Sequence, residues 1–170
     1  MVYILYINIS ILGCLEPRPK PYRLSENRMP DICYNSLYII GHKEDLDAIE
    51  ATKFSFQEFV PRPAEQEETW YEWNNANWGT KWDRGEYVLN HRSDNQLAIG
   101  FQTAWCPPLK VLEAVLKKYP RSWMKLTYSA EDDSSGVWIG HMDTGELTVQ
   151  ELHWIQPEPR LTENGEILIL

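Results

Sequence analysis

The sequence predicts an α+β sandwich: one mainly antiparallel sheet, two principal helices on one face, and an aromatic-rich helical insert. Three observations carry this. Residues 32–41 and 123–129 are rich in β-branched and aromatic residues, as strands are. Residues 43–53 and 107–119 repeat apolar side chains at helical spacing. Between these units, residues 80–90 and 96–103 read as paired strands joined by the turn-forming HRSDN. Two strand–helix units sharing one sheet give the ferredoxin-like arrangement, with the helices on one face and the other face open.

Taken in order, the first fifteen residues are nearly all apolar. They fall short of the roughly 20 needed to span a bilayer and lack the basic start of a signal peptide. Tyr3, Leu5, Ile7, Ile9 and Ile11 alternate with a more mixed face, as an added strand would. The other reading takes Met29 as the true start. EPRPKPYRLSEN (16–27) carries three prolines and alternating charge, so residues 1–28 are expected to be a leader and linker, 29–157 the domain, and 158–170 a tail.

Strand CYNSLYIIG closes at Gly41, and the helix over 43–53 turns Leu46, Ala48 and Ile49 inward, with acidic residues in its first turn suiting the helix dipole. FSFQEFV alternates until Pro61 and Pro63 break it, giving a short edge strand or an ordered loop. Residues 64–77 are expected to be helical, with Gly79 as the C-terminal cap where a positive φ favours glycine. Pro107 and Pro108 suit a first helical turn, Leu109, Leu112, Leu116 and Tyr119 form its stripe, and Pro120 stops it. Residues 136–141 and 146–154 form a hairpin about Asp143-Thr144-Gly145, and Asn164-Gly165 precedes a last apolar strand free to pair with the leader.

Composition narrows the function. The formal net charge of −9 argues against a general phosphate-backbone binder, which needs a basic face. Cys14, Cys33 and Cys106 have neither CxxC pairing nor metal-ligand spacing, which points to reduced thiols in a cytosol. His42, His91, His141 and His153 are scattered, so neither a metal nor a cofactor is expected. Cys106 stands before a helix N-terminus but lacks a nameable base, and Glu131, Asp132 and Asp133 read as a solvated turn. Gly79-Thr80-Lys81 lacks the upstream glycine of a phosphate loop.

MPDICYNSLYIIG from Met29, FSFQEFVPRP, NWGTKWD from Asn77, TAWCPP from Thr103 and the helix ending KKYP together resemble the YubB ferredoxin-like domain family, small proteins encoded by phages and plasmids. The resemblance runs in order from about Met29 to Gly140. It implies a ferredoxin-like fold, a domain start at Met29 and a place in the host-cell cytoplasm. It implies no activity.

Four tryptophans fall within Trp70 to Trp82, WYEWNNANWGTKW. Trp70, Tyr71 and Trp73 are read as packing of the inserted helix. Asn77, Trp78, Thr80, Lys81 and Trp82 are expected to face Thr103, Trp105 and the amides opening the 107–119 helix. Indole faces, a hydroxyl, a cation and helix amides suit a planar ring with an attached anion, such as a nucleotide-like ligand. The plainer explanation is that these indoles interlock insert and core. The leading functional reading is a non-catalytic accessory protein that binds such a ligand or a host protein, counteracting a host defence. The rivals are an enzyme acting on nucleotides or nucleic acid through the same motifs, and an acidic mimic of nucleic acid.

Overall fold

A computed structural model of the protein describes residues 31–155, 160–161 and 167–168. The fold is α+β, built on a six-stranded antiparallel sheet. Its strands are β1 (Ile32–Ile40), β2 (Tyr87–Ser93), β3 (Gln96–Ala104), β4 (Trp123–Ala130), β5 (Ser134–Asp143) and β6 (Glu146–Ile155), in the spatial order β2-β3-β1-β4-β5-β6. Helices α1 (Lys43–Ala51), α2 (Trp70–Asn77) and α3 (Leu109–Lys118) complete it. None of the described helices is long and apolar enough to cross a membrane.

Alternation in the strands decides which face is buried. Cys33, Asn35, Leu37 and Ile39 of β1 point under the helices, while Tyr34 and Ile40 are exposed on the other side. Leu97, Ile99 and Phe101 of β3 and Met124 and Leu126 of β4 continue the same layer. Leu46 and Ile49 of α1, and Val111, Leu112, Val115 and Leu116 of α3, fill it from above. Ala48 is exposed, contrary to expectation. Arg92 of β2 pairs with Asp47 and Glu50, tying that edge strand to α1.

Two local expectations change and one alternative is settled. The 64–77 helix is shorter: a 3-10 turn (Ala64–Gln66) precedes α2, which begins only at Trp70. The acid-rich residues 65–68 have no apolar side chain to bury, and in proteins helices are held mostly by packing of such a face. FSFQEFV takes the loop alternative, a 3-10 turn (Phe56–Glu58) with Phe54 and Phe56 fully buried. The strand expected from residue 80 starts at Tyr87, because the preceding loop is held by side chains. Asp83 accepts from the Ser55 hydroxyl at 2.6 Å and the Phe56 amide at 2.7 Å, and the Arg84 Nε donates to the Lys53 carbonyl.

The β5–β6 hairpin turns through Thr144 and Gly145, both at positive φ, as a tight two-residue turn requires. In the tail, β7 (Arg160–Leu161) pairs antiparallel with β8 (Ile167–Leu168), so the last apolar segment has a partner inside the tail. The expectations for the leader and linker lie outside the described residues.

Gly136 of β5 is required by a close approach. The Tyr128 hydroxyl lies 2.3 Å from where a Cβ at 136 would stand, and it bonds His153 Nδ1 at 3.1 Å. Gly136→Ala forces this ring aside, so denaturant unfolding is expected to show a loss of about 1–3 kcal/mol. Tyr128→Phe removes only the hydrogen bond and is expected to cost about 0.5–1.5 kcal/mol. An unchanged midpoint for Gly136→Ala contradicts this packing.

Candidate functional site

The Trp-rich stretch is anchored from both ends. Gly79 adopts φ +82° and its amide, like that of Trp78, donates to the Asn74 carbonyl, closing α2 as the sequence suggests. The Lys110 ammonium donates to the Ala76 carbonyl, placing a cation at the negative end of α2. Thr80 is fully buried, and its hydroxyl both donates to the Ala104 carbonyl and accepts from the Ala104 amide, each at 3.0 Å. The hydroxyl thus takes the place of a strand partner at the end of β3, and NWGTKW and TAWCPP do meet.

The meeting sorts the seven expected site residues. Trp78 is 3% exposed; its indole N–H donates to the Val60 carbonyl at 2.8 Å, and it packs edge-on against Phe56 and Trp73. Asn77 turns its amide back to the Trp73 carbonyl. Thr103 is fully buried, accepting from the Asn35 amide at 2.8 Å and donating to the Cys106 carbonyl at 2.8 Å. Lys81 is 5% exposed, with its ammonium 5.6 Å from the Trp82 ring centroid and 5.7 Å from that of Trp105. Two indole faces therefore enclose one cation, which favours it electrostatically. Trp105 also meets the Tyr71 ring edge-on, at a backbone φ of +64°. The amides of Leu109, Val111 and Leu112 donate to the carbonyls of Pro107 and Pro108, so they are occupied within the turn.

A recess of about 480 Å³ is lined by Gln57, Arg62, Glu67, Trp70, Asn74, Trp78, Trp82 and Asp83. Trp78 is its enclosed floor, and the half-buried indoles of Trp70 and Trp82 stand in its wall. Asn74 is 1% exposed and holds the frame together: its amide donates to the Lys81 carbonyl at 2.8 Å and its oxygen accepts from Arg62 at 3.1 Å. Gln57 bonds the Arg62 backbone in both directions. The other guanidinium nitrogen of Arg62 meets the Glu67 carboxylate at 3.0 Å, where the side chains are 22% and 75% exposed. Sequence reasoning passed over Arg62 and Asn74 and read Trp70 as packing. Arg62 sits in a proline-rich break; the signal available was an asparagine set among tryptophans, since a buried amide needs partners.

A smaller recess of about 410 Å³ lies at Ile40, Gly41, His42, Lys43, Asp94, Asn95 and Arg121, but its Arg121 already pairs with Asp45. Among the described residues no group of three His, Cys, Asp or Glu is placed to hold a metal. Reduced thiols were expected throughout, yet Cys106 is disulfide-bonded, while Cys33 is free and buried. No protein-family model, curated protein or solved structure matches the chain.

Burial pushes the Cys33 thiol up to about 11, against a smaller lowering by its hydrogen bond with Thr103. A neutral, enclosed thiol is a poor nucleophile. Iodoacetamide at neutral pH is expected to leave the Cys33 peptide unlabelled in the folded protein and to label it fully in denaturant. Rapid labelling of the folded protein contradicts this.

Proposed function

We propose that this chain is a non-catalytic accessory protein of the phage- and plasmid-encoded YubB type, built on a ferredoxin-like core, whose Trp-rich recess binds a nucleotide-like ligand. The order β2-β3-β1-β4, with α1 following β1 and α3 joining β3 to β4, supports the ferredoxin-like reading. The motif resemblance supports the genetic context and, through it, a role against a host defence. One observation carries the ligand: Trp70, Trp82 and Arg62 line a single recess with its floor already closed by Trp78.

The chemistry follows from what each group has left to offer. A base lying against the indoles gains about 1–3 kcal/mol from stacking. One guanidinium nitrogen of Arg62 is fixed by Asn74 and the other faces an exposed carboxylate. An exposed ion pair is worth only about 0–1 kcal/mol. A ligand phosphate therefore displaces Glu67 at small cost and takes a charge-assisted bond from an arginine already aimed at it. The Glu67 carboxylate marks the place of the ligand anion. Asp83 does not compete with the ligand for Arg62, since its carboxylate is bonded to the Ser55 hydroxyl and the Phe56 and Arg84 amides.

Intrinsic tryptophan fluorescence titrated with purine and pyrimidine nucleoside monophosphates tests this. A saturable change is expected, weakened about tenfold or more in Arg62→Ala, which removes a bond of about 1.5–3 kcal/mol. Glu67→Gln is expected to tighten binding. No fluorescence or melting-temperature change with any nucleotide overturns the proposal, and so does turnover of a bound one.

A further inference from the structure

The two edges of the sheet are finished differently. Edge strand β2 carries a bulge between Leu89 and His91, and Arg92 ties it to α1. Both are devices that discourage pairing with another strand. The opposite edge, β6, runs in unbroken register with β5 from Glu146 to Ile155, and its sequence ELTVQELHWI contains no lysine and no proline. No described strand pairs with its outer side. Val149, Leu152, Trp154 and Ile155 are 39–64% exposed, half of the exposed large apolar side chains among the described residues. A strand edge to which no described strand bonds, flanked by apolar side chains, accepts one kind of occupant, another extended strand.

The side chains of β6 specify which strand. Two copies of an edge strand related by a two-fold axis pair antiparallel, each residue facing a residue of the same segment. With Leu152 on the axis, Val149 faces Ile155, Gln150 faces Trp154, Glu151 faces His153, and Leu152 faces itself. Every exposed apolar side chain gains a neighbour, and the one carboxylate in this stretch meets the one histidine. Moving the axis to Glu151 sets carboxylate on carboxylate and Val149 on His153. An axis at Gln150 sets Trp154 on Glu146. From this register we propose that the protein forms a symmetric dimer through β6, joining the sheets of two copies into one.

His153 is prepared for its partner. Its Nδ1 bonds the Tyr128 hydroxyl and its ring stacks on the Tyr128 ring, which fixes its orientation. Burial pushes the Tyr128 phenol well above its ordinary value, so the phenol stays protonated beside Nδ1. With Nδ1 engaged by Tyr128, Nε2 is the ring nitrogen left for Glu151 of the second copy. The positions that face each other across an antiparallel pair lie about 4.5–5.5 Å apart, within reach of a disulfide at the axis.

Sedimentation equilibrium of the full chain over a concentration series decides the matter. A mass rising from monomer to dimer is expected, and Leu152→Lys, which sets two ammonium groups face to face, is expected to weaken association about tenfold or more. The residue is 59% exposed, so the monomer is expected to keep its circular dichroism. Under mild oxidation Leu152→Cys is expected to cross-link to dimer rapidly, and Gln150→Cys slowly. A monomer at every concentration overturns the proposal, whether the edge is bare or covered by another part of the chain. Equal cross-linking of the two cysteine variants overturns the register.

Discussion

The two-way hydrogen bond of the Thr80 hydroxyl to the backbone of Ala104 is the constraint on which the candidate site depends. Where β3 ends, its last amide and carbonyl need partners, and a buried backbone group without one costs about 1–3 kcal/mol. One side-chain oxygen satisfies both. In doing so it fixes the exit of the aromatic insert against the sheet. Trp78 then falls into the core against Phe56, and Lys81 falls between Trp82 and Trp105. Asn74 repeats the principle one step outward, binding Lys81 on one side and Arg62 on the other.

For the proposed ligand, the arrangement bears on how an acidic chain would receive an anion. The chain carries a net charge of −9, but Asp83 and Glu67 at the recess already have donors within the protein. Asp83 is held by backbone and hydroxyl donors, and Glu67 by Arg62. The guanidinium reaches the recess with one of its bonds already made to a buried amide, so little freedom remains to be lost on binding.

What the sequence disclosed follows from which forces are local. α3 was legible because its apolar stripe lies within the helix and prolines mark its ends, although Pro107 and Pro108 stand just before the first turn at Leu109 rather than in it; β1 and β4 were legible because alternation follows from burying one face. The meeting of NWGTKW with TAWCPP was legible too, since adjacent strands bring their outer ends together. The means of that meeting was not: a threonine hydroxyl replaces the expected ladder, and residue 80 carries no mark of bonding 24 positions away. Trp70 and Trp78 were assigned the wrong way round, the first to packing and the second to the site, because both lie in one aromatic run and only tertiary packing leaves the first half-buried in the wall and closes the second into the floor. Likewise ELTVQELHWI reads as a strand, while its standing as an edge depends on sheet order.

The tryptophans at the recess divide into an enclosed floor, Trp78, and accessible walls, Trp70 and Trp82. Hydrogen exchange at the indole N–H groups, followed by nuclear magnetic resonance, tests this division most directly. The Trp78 indole, bonded to the Val60 carbonyl, is expected to exchange only through global unfolding, whereas those of Trp70 and Trp82 exchange with solvent in the folded state. Exchange of Trp78 as fast as theirs, or protection of Trp82 equal to that of Trp78, contradicts the division.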